Sequence, residues 1–196
     1  MVDRSTSLRW TSDELASTEH LTLVEHVGGA QLRGRVRIGT DVTIDYRVEA
    51  DAGWRTRHVV ADVHVGATAR SLELRCDDVG WTVDGRARPD LSVGLDVDLG
   101  WTPATNTLAI RRLDLGIGGR ASIDATWVRW PELDVVRARQ TYERLAVDRY
   151  RYDSGGQPYE LQVDQVGLVT RYGDDLWTGR PDGPESASPV DPQPPD

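Results

Sequence analysis

The 196-residue chain contains no phenylalanine and no lysine, and its one cysteine is Cys76. A single cysteine excludes a disulfide within the chain and is typical of a reducing compartment. The amino terminus, MVDRSTSLRWTSDEL, lacks the continuous apolar segment of a secretory signal peptide, and no stretch approaches the ~18 apolar residues of a membrane-spanning helix. We therefore predict a soluble, cytoplasmic protein without a transmembrane segment.

The chain is also short of positive charge. Its formal net charge is −9 and its isoelectric point is near 4.9. This balance argues against nucleic acid as a partner, and against adsorption to an anionic membrane, because both require a basic surface. The exclusive use of arginine as the basic residue suggests a bacterial origin. Hydrophobic residues make up 38% of the chain, but seven Trp and six Tyr supply the apolar surface for one domain.

Common catalytic motifs are absent as well. There is no GxSxG elbow, no paired Cys–His arrangement and no glycine-rich phosphate loop, so we predict no catalytic residue and no cofactor. His58, Asp62 and His64 fall on one face of a predicted strand, where they suit either a metal site or a solvated polar face. The solvated face is the simpler interpretation. Cys76 alternates with Leu72 and Leu74, which favours a buried apolar role.

Alternation of apolar and polar residues runs through most of the sequence, with turn residues about every ten positions. This pattern predicts an all-β protein, a roll or open antiparallel barrel with at most one or two short helices. The segment 132–147 is ambiguous, and we expect it to be mainly extended. Residues 1–18 are expected to be loosely ordered, residues 19–177 to form a single β-domain, and the Pro- and Asp-rich residues 178–196 to be disordered.

The segment 95–115, LDVDLGWTPATNTLAIRRLDL, is the most informative part of the chain. Leu95, Val97 and Leu99 alternate with Asp96 and Asp98, which predicts a strand with two carboxylates on one face. A Pro-containing turn follows, and a second strand with a β-bulge at its paired arginines is expected from the change in apolar parity. Guanidinium and carboxylate groups at this spacing are expected to form bidentate pairs.

The run DVDLGWTPATNTLAIRRL resembles a bacterial protein family named "putative glycolipid-binding". It is preceded by Trp54-Arg55-Thr56-Arg57 and Asp84-Gly85, and followed by Gln140-Thr141-Tyr142-Glu143-Arg144. The similarity covers roughly Glu19 to Trp177. The resemblance implies a spiral β-roll with an internal cavity, in which a glycolipid or other lipid-like small molecule would bind.

We therefore predict a non-enzymatic binder of an amphipathic small molecule, with the acyl part inside the roll. The expected ligand-binding residues are Arg57, Asp96, Asp98, Trp101, Thr105, Asn106, Arg111, Arg112, Gln140 and Tyr142, and no metal site is expected. One alternative is an enzyme that uses Asp96 or Asp98 as acid or base on a small polar substrate. Another is an interaction module with a filled core. Monomer and dimer both remain open.

Overall fold

The structure, a computed structural model, describes residues 4–91 and 96–181. One 15-stranded sheet and one α-helix account for the secondary structure of these residues. The elements are β1 (Arg4–Ser12), β2 (Ser17–His26), β3 (Gly29–Ile38), β4 (Val42–Asp51), β5 (Thr56–Val65), β6 (Thr68–Cys76), β7 (Trp81–Val83), β8 (Arg86–Ala87), β9 (Asp96–Leu99), α1 (Asn106–Leu113), β10 (Arg120–Val128), β11 (Val135–Ala146), β12 (Arg149–Asp153), β13 (Pro158–Val163), β14 (Val169–Tyr172) and β15 (Trp177–Pro181). The all-β fold class predicted from the sequence is confirmed.

The sheet is open and has a simple order. It runs β8-β7-β6-β5-β4-β3-β2-β1-β15-β14-β13-β12-β11-β10-β9, so β1 and β15, the first and last of these strands in sequence, pair with each other in its middle. Every pair is antiparallel except β9–β10, which is parallel because α1 carries the chain back between the two strands. The backbone N–H of Val97 in β9 donates to Thr56 Oγ1 at the start of β5, so the end of the sheet is rolled inside the outer strands.

The interior contains two apolar clusters. The larger one joins the inner faces of β1 to β7 with Val97, Leu99 and Val128. The smaller one contains the tyrosines of β11 and β12, together with residues of β13 and β14. Helix α1 lies between them, since Leu108 belongs to the first cluster, whereas Ala109 and Ile110 belong to the second. The rolled-in strands therefore have both faces covered.

The terminal strands correct the predicted boundaries of the domain. Residues 4–12, expected to be loosely ordered, form β1 and pair with both β2 and β15. Thr178–Pro181, expected to begin the disordered tail, belong to β15. Both segments are short and polar, but Trp10 of β1 is fully buried and stabilises the pairing by filling the core. The remaining residues of the predicted tail lie outside the described residues.

The central segment also differs from its prediction. Val97 and Leu99 are buried in strand β9 as expected, whereas Leu95 lies outside the described residues. The expected second strand and its bulge are wrong, because these residues form α1. The change in apolar parity after Ile110 comes from helical periodicity, and the basic residues in the last turn suit the negative end of the helix dipole. The extended conformation expected for most of 132–147 is confirmed by β11.

Two inward-facing aromatic side chains each cross a glycine on the neighbouring strand. Tyr46 of β4 lies over Gly34 of β3, where a Cβ atom would overlap the Tyr46 ring. Trp10 of β1 lies over Gly179 of β15 in the same way, and its Nε1 donates to Val169 O on β14 at 2.7 Å. Each glycine thus allows an aromatic side chain to pass over the neighbouring strand and contact the strand beyond it.

Candidate ligand-binding site

The two aspartates of β9 face helix α1 and the tyrosine-rich cluster, and each has a different partner. Asp96 is only 2% exposed and accepts two hydrogen bonds from Arg112, at 2.9 Å from Nε and 2.5 Å from Nη2. Burial raises the pKa of Asp96, and the Arg112 guanidinium opposes that rise. The bidentate carboxylate–arginine pair predicted from the sequence is confirmed here, although a helix and not a strand presents the arginine.

Within residues 4–91 and 96–181, Asp98 has no arginine partner and is held by neutral groups. Gln140 Nε2 donates to Asp98 Oδ2 at 2.5 Å, and the Tyr152 hydroxyl donates to the same oxygen at 3.3 Å. Desolvation raises the pKa of Asp98 to about 6, because hydrogen bonds from Gln140, Tyr152 and Thr105 offset the loss of water only in part. This carboxyl group therefore changes its protonation near pH 6, well above the ordinary pKa of an aspartate.

The network continues from Gln140 to the start of the helix. The Tyr142 hydroxyl donates to Gln140 Oε1 at 3.4 Å, and Asn106 Nδ2 donates to the Tyr142 oxygen at 3.0 Å. Desolvation raises the pKa of Tyr142, and the nearby Asp98 raises it further. The structure therefore brings five of the predicted site residues together in one polar network, in which Asp98 is half-buried and the other four are buried: Asp98, Thr105, Asn106, Gln140 and Tyr142.

Two predicted site residues lie elsewhere. Trp101 is fully buried in the larger apolar cluster, where its ring meets Trp130 edge to face at a centroid distance of 6.3 Å. Arg57 forms a two-bond ion pair with Asp51, at 3.0 and 2.8 Å, beside the β4–β5 turn. The sequence did not predict either location, because the position of both side chains depends on how the sheet rolls.

Arg111 is the motif arginine that reaches an open surface. Its Nη2 donates to Glu25 Oε1 at 2.9 Å, and its Nη1 donates to Val166 O at 3.0 Å. Its guanidinium carbon lies 4.2 Å from the centre of the Trp54 ring, which is a cation–π contact. Trp54 itself sits in a tight turn, with φ of 63°, closed by Asp51 Oδ1.

A half-open cleft of about 1080 Å³ lies beside Arg111, at the end of the roll where α1 ends. Its apolar lining includes Trp54, Ile110, Tyr150, Val163 and Val166. Its charged lining consists of three arginines and three aspartates: Arg4, Arg111, Arg144, Asp114, Asp148 and Asp164. The volume is typical of a small-molecule site, and the equal numbers of acidic and basic groups suit a polar ligand without net charge.

Sequence analysis missed most of this cleft. Arg111 is the one predicted site residue among its lining residues. Ile110 and Asp114 lie beside it in and after α1, whereas the other lining residues come from distant segments: β1, the β4–β5 turn, the end of β11 with the following turn, β12, and the end of β13 with the connection to β14. Trp54 was the available signal, since it directly precedes the Arg-Thr-Arg run in the family resemblance.

Sequence analysis also missed the buried carboxyl group of Glu19. Glu19 of β2 is 2% exposed and accepts hydrogen bonds on Oε1 from the hydroxyls of Tyr46 and Thr102, the latter at 3.0 Å. Its Oε2 has no hydrogen-bond partner within the described residues. Desolvation raises the pKa of Glu19 to about 7, against the two hydrogen bonds, which lower it. Thr102 links this outer strand to the loop before α1.

The histidine-containing strand face has ordinary polar contacts. His58 Nε2 lies 2.8 Å from Glu73 Oε1 on the neighbouring strand, and Asp62 accepts a hydrogen bond from Ser71 at 2.5 Å. Within residues 4–91 and 96–181, no group of three or more His, Cys, Asp or Glu side chains is arranged to hold a metal ion. In the same residues, α1 has eight residues and is too short and too polar to cross a bilayer.

Comparisons with known proteins agree on one family. Residues 7–178 match the family described as "Putative glycolipid-binding". A crystal structure of a DUF1089 family protein from Pseudomonas aeruginosa is similar, with 33% sequence identity and a TM-score of 0.72, over 84% of this chain and 90% of that chain. No curated protein matches the sequence. The resemblance noted in the sequence is thus confirmed, and the chain belongs to the family described as "Putative glycolipid-binding".

Proposed function

We propose that the protein binds a glycolipid or a similar amphipathic molecule in the cleft beside Arg111, without catalysing a reaction. The observation that carries this proposal is the combination, in one cleft of about 1080 Å³, of apolar walls with evenly mixed charges around Arg111. An acyl chain needs the apolar walls, and a head group rich in hydroxyls needs both donors and acceptors.

Arg111 is suited to hold the head group. Within the part of the chain that the structure describes, its bonds to Glu25 and Val166 use two of the five N–H donors of a guanidinium. The other donors remain for a ligand. Trp54 and Glu25 hold the guanidinium in place, so binding costs little additional side-chain entropy. The family description supports the same ligand class.

The polar network around Asp98 belongs to the proposed site as its support. It connects β9, β11, β12 and the start of α1, and thereby fixes the helix that presents Arg111. Asp96 is fully engaged by Arg112, which is the arrangement expected of a structural carboxylate and not of an acid–base catalyst. We therefore assign Asp96, Asp98, Asn106, Gln140 and Tyr142 to positioning.

Calorimetry with octyl glucoside below its micellar concentration tests this function. Thr6 lines the cleft from β1, whereas Thr11 of the same strand lies exposed outside the roll. Thr6→Trp should fill the cleft and weaken binding by about tenfold or more, because ligand and side chain compete for one volume. Thr11→Trp is the matched control and should bind like the wild type. Equal binding by both variants and the wild type would place the ligand elsewhere.

Native mass spectrometry of the purified protein, with solvent extraction of bound molecules, identifies the natural ligand class. A glycolipid adduct that is lost in Thr6→Trp and kept in Thr11→Trp is the expected result. Octyl sulfate, which has the same chain with an anionic head, should bind more weakly than octyl glucoside because aspartates share the cleft. A preference for octyl sulfate would contradict a sugar head group.

A further inference from the structure

The exposed aliphatic side chains of this protein are concentrated at one end of the roll. Within the described residues, five large hydrophobic side chains are strongly exposed: Val27 at 71%, Val65 at 49%, Val79 at 94%, Ile117 at 64% and Val147 at 71%. Four of them lie in the β2–β3, β6–β7, α1–β10 and β11–β12 connections. Only Val65 ends a strand at the opposite end of the roll.

Strand register places these four connections at the end that carries the cleft. Arg4, which lines the cleft, pairs with Glu25 just before the β2–β3 turn. His58, near the start of β5, pairs with Arg75 just before the β6–β7 turn. On the other side of the sheet, the backbone N–H of Gly118 donates to Arg144 O, which joins the α1–β10 loop to the end of β11. The cleft and the four aliphatic turns therefore lie at the same end of the sheet.

The placement of these four side chains on separate turns favours a lipid surface over a protein partner. The four side chains stand on four separate turns, whereas a stable protein interface requires a contiguous apolar patch. Separate aliphatic tips can enter the fluid boundary between headgroups and acyl chains one by one, because that boundary demands no shape complementarity. An amphipathic ligand of the cleft also resides in such a surface.

The charges in these turns restrict which lipid surface is suitable. Asp77 and Asp78 directly precede the valine of the β6–β7 turn, and Asp148 directly follows Val147. The chain as a whole carries a net charge of −9 and contains no lysine. An anionic bilayer would repel these groups, so the turns suit an electrically neutral one.

We propose that the turns carrying Val27, Val79, Ile117 and Val147 dock this end of the roll on an electrically neutral lipid bilayer, so that the cleft opens onto the headgroup layer. The proposal deepens the proposed function and rests on it, since docking supplies the cleft with its amphipathic ligand. It assigns a role to Val27, Val79 and Ile117, which do not line the cleft, and a second role to Val147, which does.

Co-sedimentation of the full chain with phosphatidylcholine vesicles tests the docking. The double variant Val27→Asp/Val79→Asp removes two tips that do not line the cleft. We expect it to bind vesicles at least about tenfold more weakly, because two aliphatic groups are lost and two charges must enter the interface. Val65→Asp, the same substitution at the opposite end, should change binding by less than about twofold.

Several outcomes separate docking from ligand binding. Replacing 30% of the phosphatidylcholine with phosphatidylglycerol should weaken wild-type binding, because like charges repel. Absence of vesicle binding by the wild type, or equal loss in Val65→Asp and the double variant, would overturn the docking proposal. So would a wild-type dimer that the double variant converts to a monomer in solution. Calorimetry with octyl glucoside without vesicles is independent: its failure would refute the cleft as a ligand site, whereas intact octyl glucoside binding without vesicle binding would refute docking alone.

Discussion

The Asp96–Arg112 pair shows how burial decides the value of a single interaction. Asp96 is almost completely buried, and Arg112 donates two hydrogen bonds to its carboxylate. Arg112→Ala leaves this carboxylate without a partner, so we expect the free energy of unfolding to fall by about 3–5 kcal/mol. Urea unfolding of the wild type and the variant measures this difference in the free energy of unfolding. The double variant Asp96→Ala/Arg112→Ala should lose less than the sum of the two single variants. A loss below about 1 kcal/mol for Arg112→Ala would mean that the ion pair contributes as little as an exposed one.

Glu19 should make the stability of the protein depend on pH. Its pKa is about 7 in the folded protein and 4.5 in a model peptide, so the folded state holds a proton that the unfolded state releases between these values. The free energy of unfolding should therefore fall as the pH rises from 4.5 to 7, by up to about 3 kcal/mol from this group.

Glu19→Gln tests this effect while keeping an acceptor for Tyr46 and Thr102. The variant should be more stable than the wild type at pH 8, by up to about 3 kcal/mol, and close to it at pH 4, where Glu19 is already neutral. Urea unfolding at pH 4, 6 and 8 gives the comparison. Asp98, whose pKa is also raised, keeps part of the pH dependence in both proteins. A constant difference across the three pH values would refute the role of Glu19.

At the scale of elements, glycines let aromatic side chains join strands that are not neighbours. Tyr46 crosses Gly34 and donates to Glu19, so it links β4 to β2 across β3. Trp10 crosses Gly179 and links β1 to β14 across β15. These side-chain contacts on the inner face add to the backbone hydrogen bonds of the sheet. They explain why a glycine occupies an inward position in β3 and another in β15.

Gly34→Ala should disrupt the first of these contacts. The new Cβ would overlap the Tyr46 ring, which must move away from Glu19, so we expect a loss of about 1–3 kcal/mol in the free energy of unfolding. Gly116→Ala is the matched control, because a Cβ at Gly116 meets no atom within 4 Å, and its effect should stay within about 0.5 kcal/mol. Thermal or urea unfolding measures both. Equal stability of the two variants would show that Tyr46 moves without cost.

Helix α1 is the element whose observed conformation differs most from the prediction made from sequence. Alternating Leu108 and Ile110 suggested a strand, and the structure forms a helix whose first five residues are all buried. A helix satisfies its own backbone hydrogen bonds, so it can lie between two apolar clusters without a neighbouring strand. The environment on both sides, and not the short sequence period, decides this conformation.

For the whole molecule, the pairing of the first strand with the last has a direct consequence. β15 pairs with β1 on one side and with β14 on the other, so it joins the two halves of the sheet. Ending the chain after Leu176 removes this strand and should abolish cooperative unfolding, because two sheet edges and the Trp10 side chain would be uncovered. Ending it after Pro181 keeps every paired residue of β15 and is the matched control. Circular dichroism during heating distinguishes the two; a cooperative transition in the shorter chain would contradict the prediction.

Much of this protein was predictable from local sequence. Alternation predicted the strands and the all-β class, because side chains of a strand face two sides in turn. Residue type predicted that the two aspartates of the motif would pair with Arg111 or Arg112, which is confirmed for Asp96, whereas Asp98 is held by neutral hydrogen-bond donors. The family resemblance, carried by an 18-residue run and its flanking motifs, is confirmed over residues 7–178.

Other features depend on contacts between distant segments, and only the tertiary structure decided them. Arg111 and Arg112 are adjacent in sequence, but the helix directs one to the cleft and the other to the buried Asp96. The pairing of β1 with β15 and the cleft formed by segments from Arg4 to Gly167 likewise depend on how the sheet rolls. Periodicity tells which face of a strand is apolar, whereas the rolling of the sheet determines what that face meets.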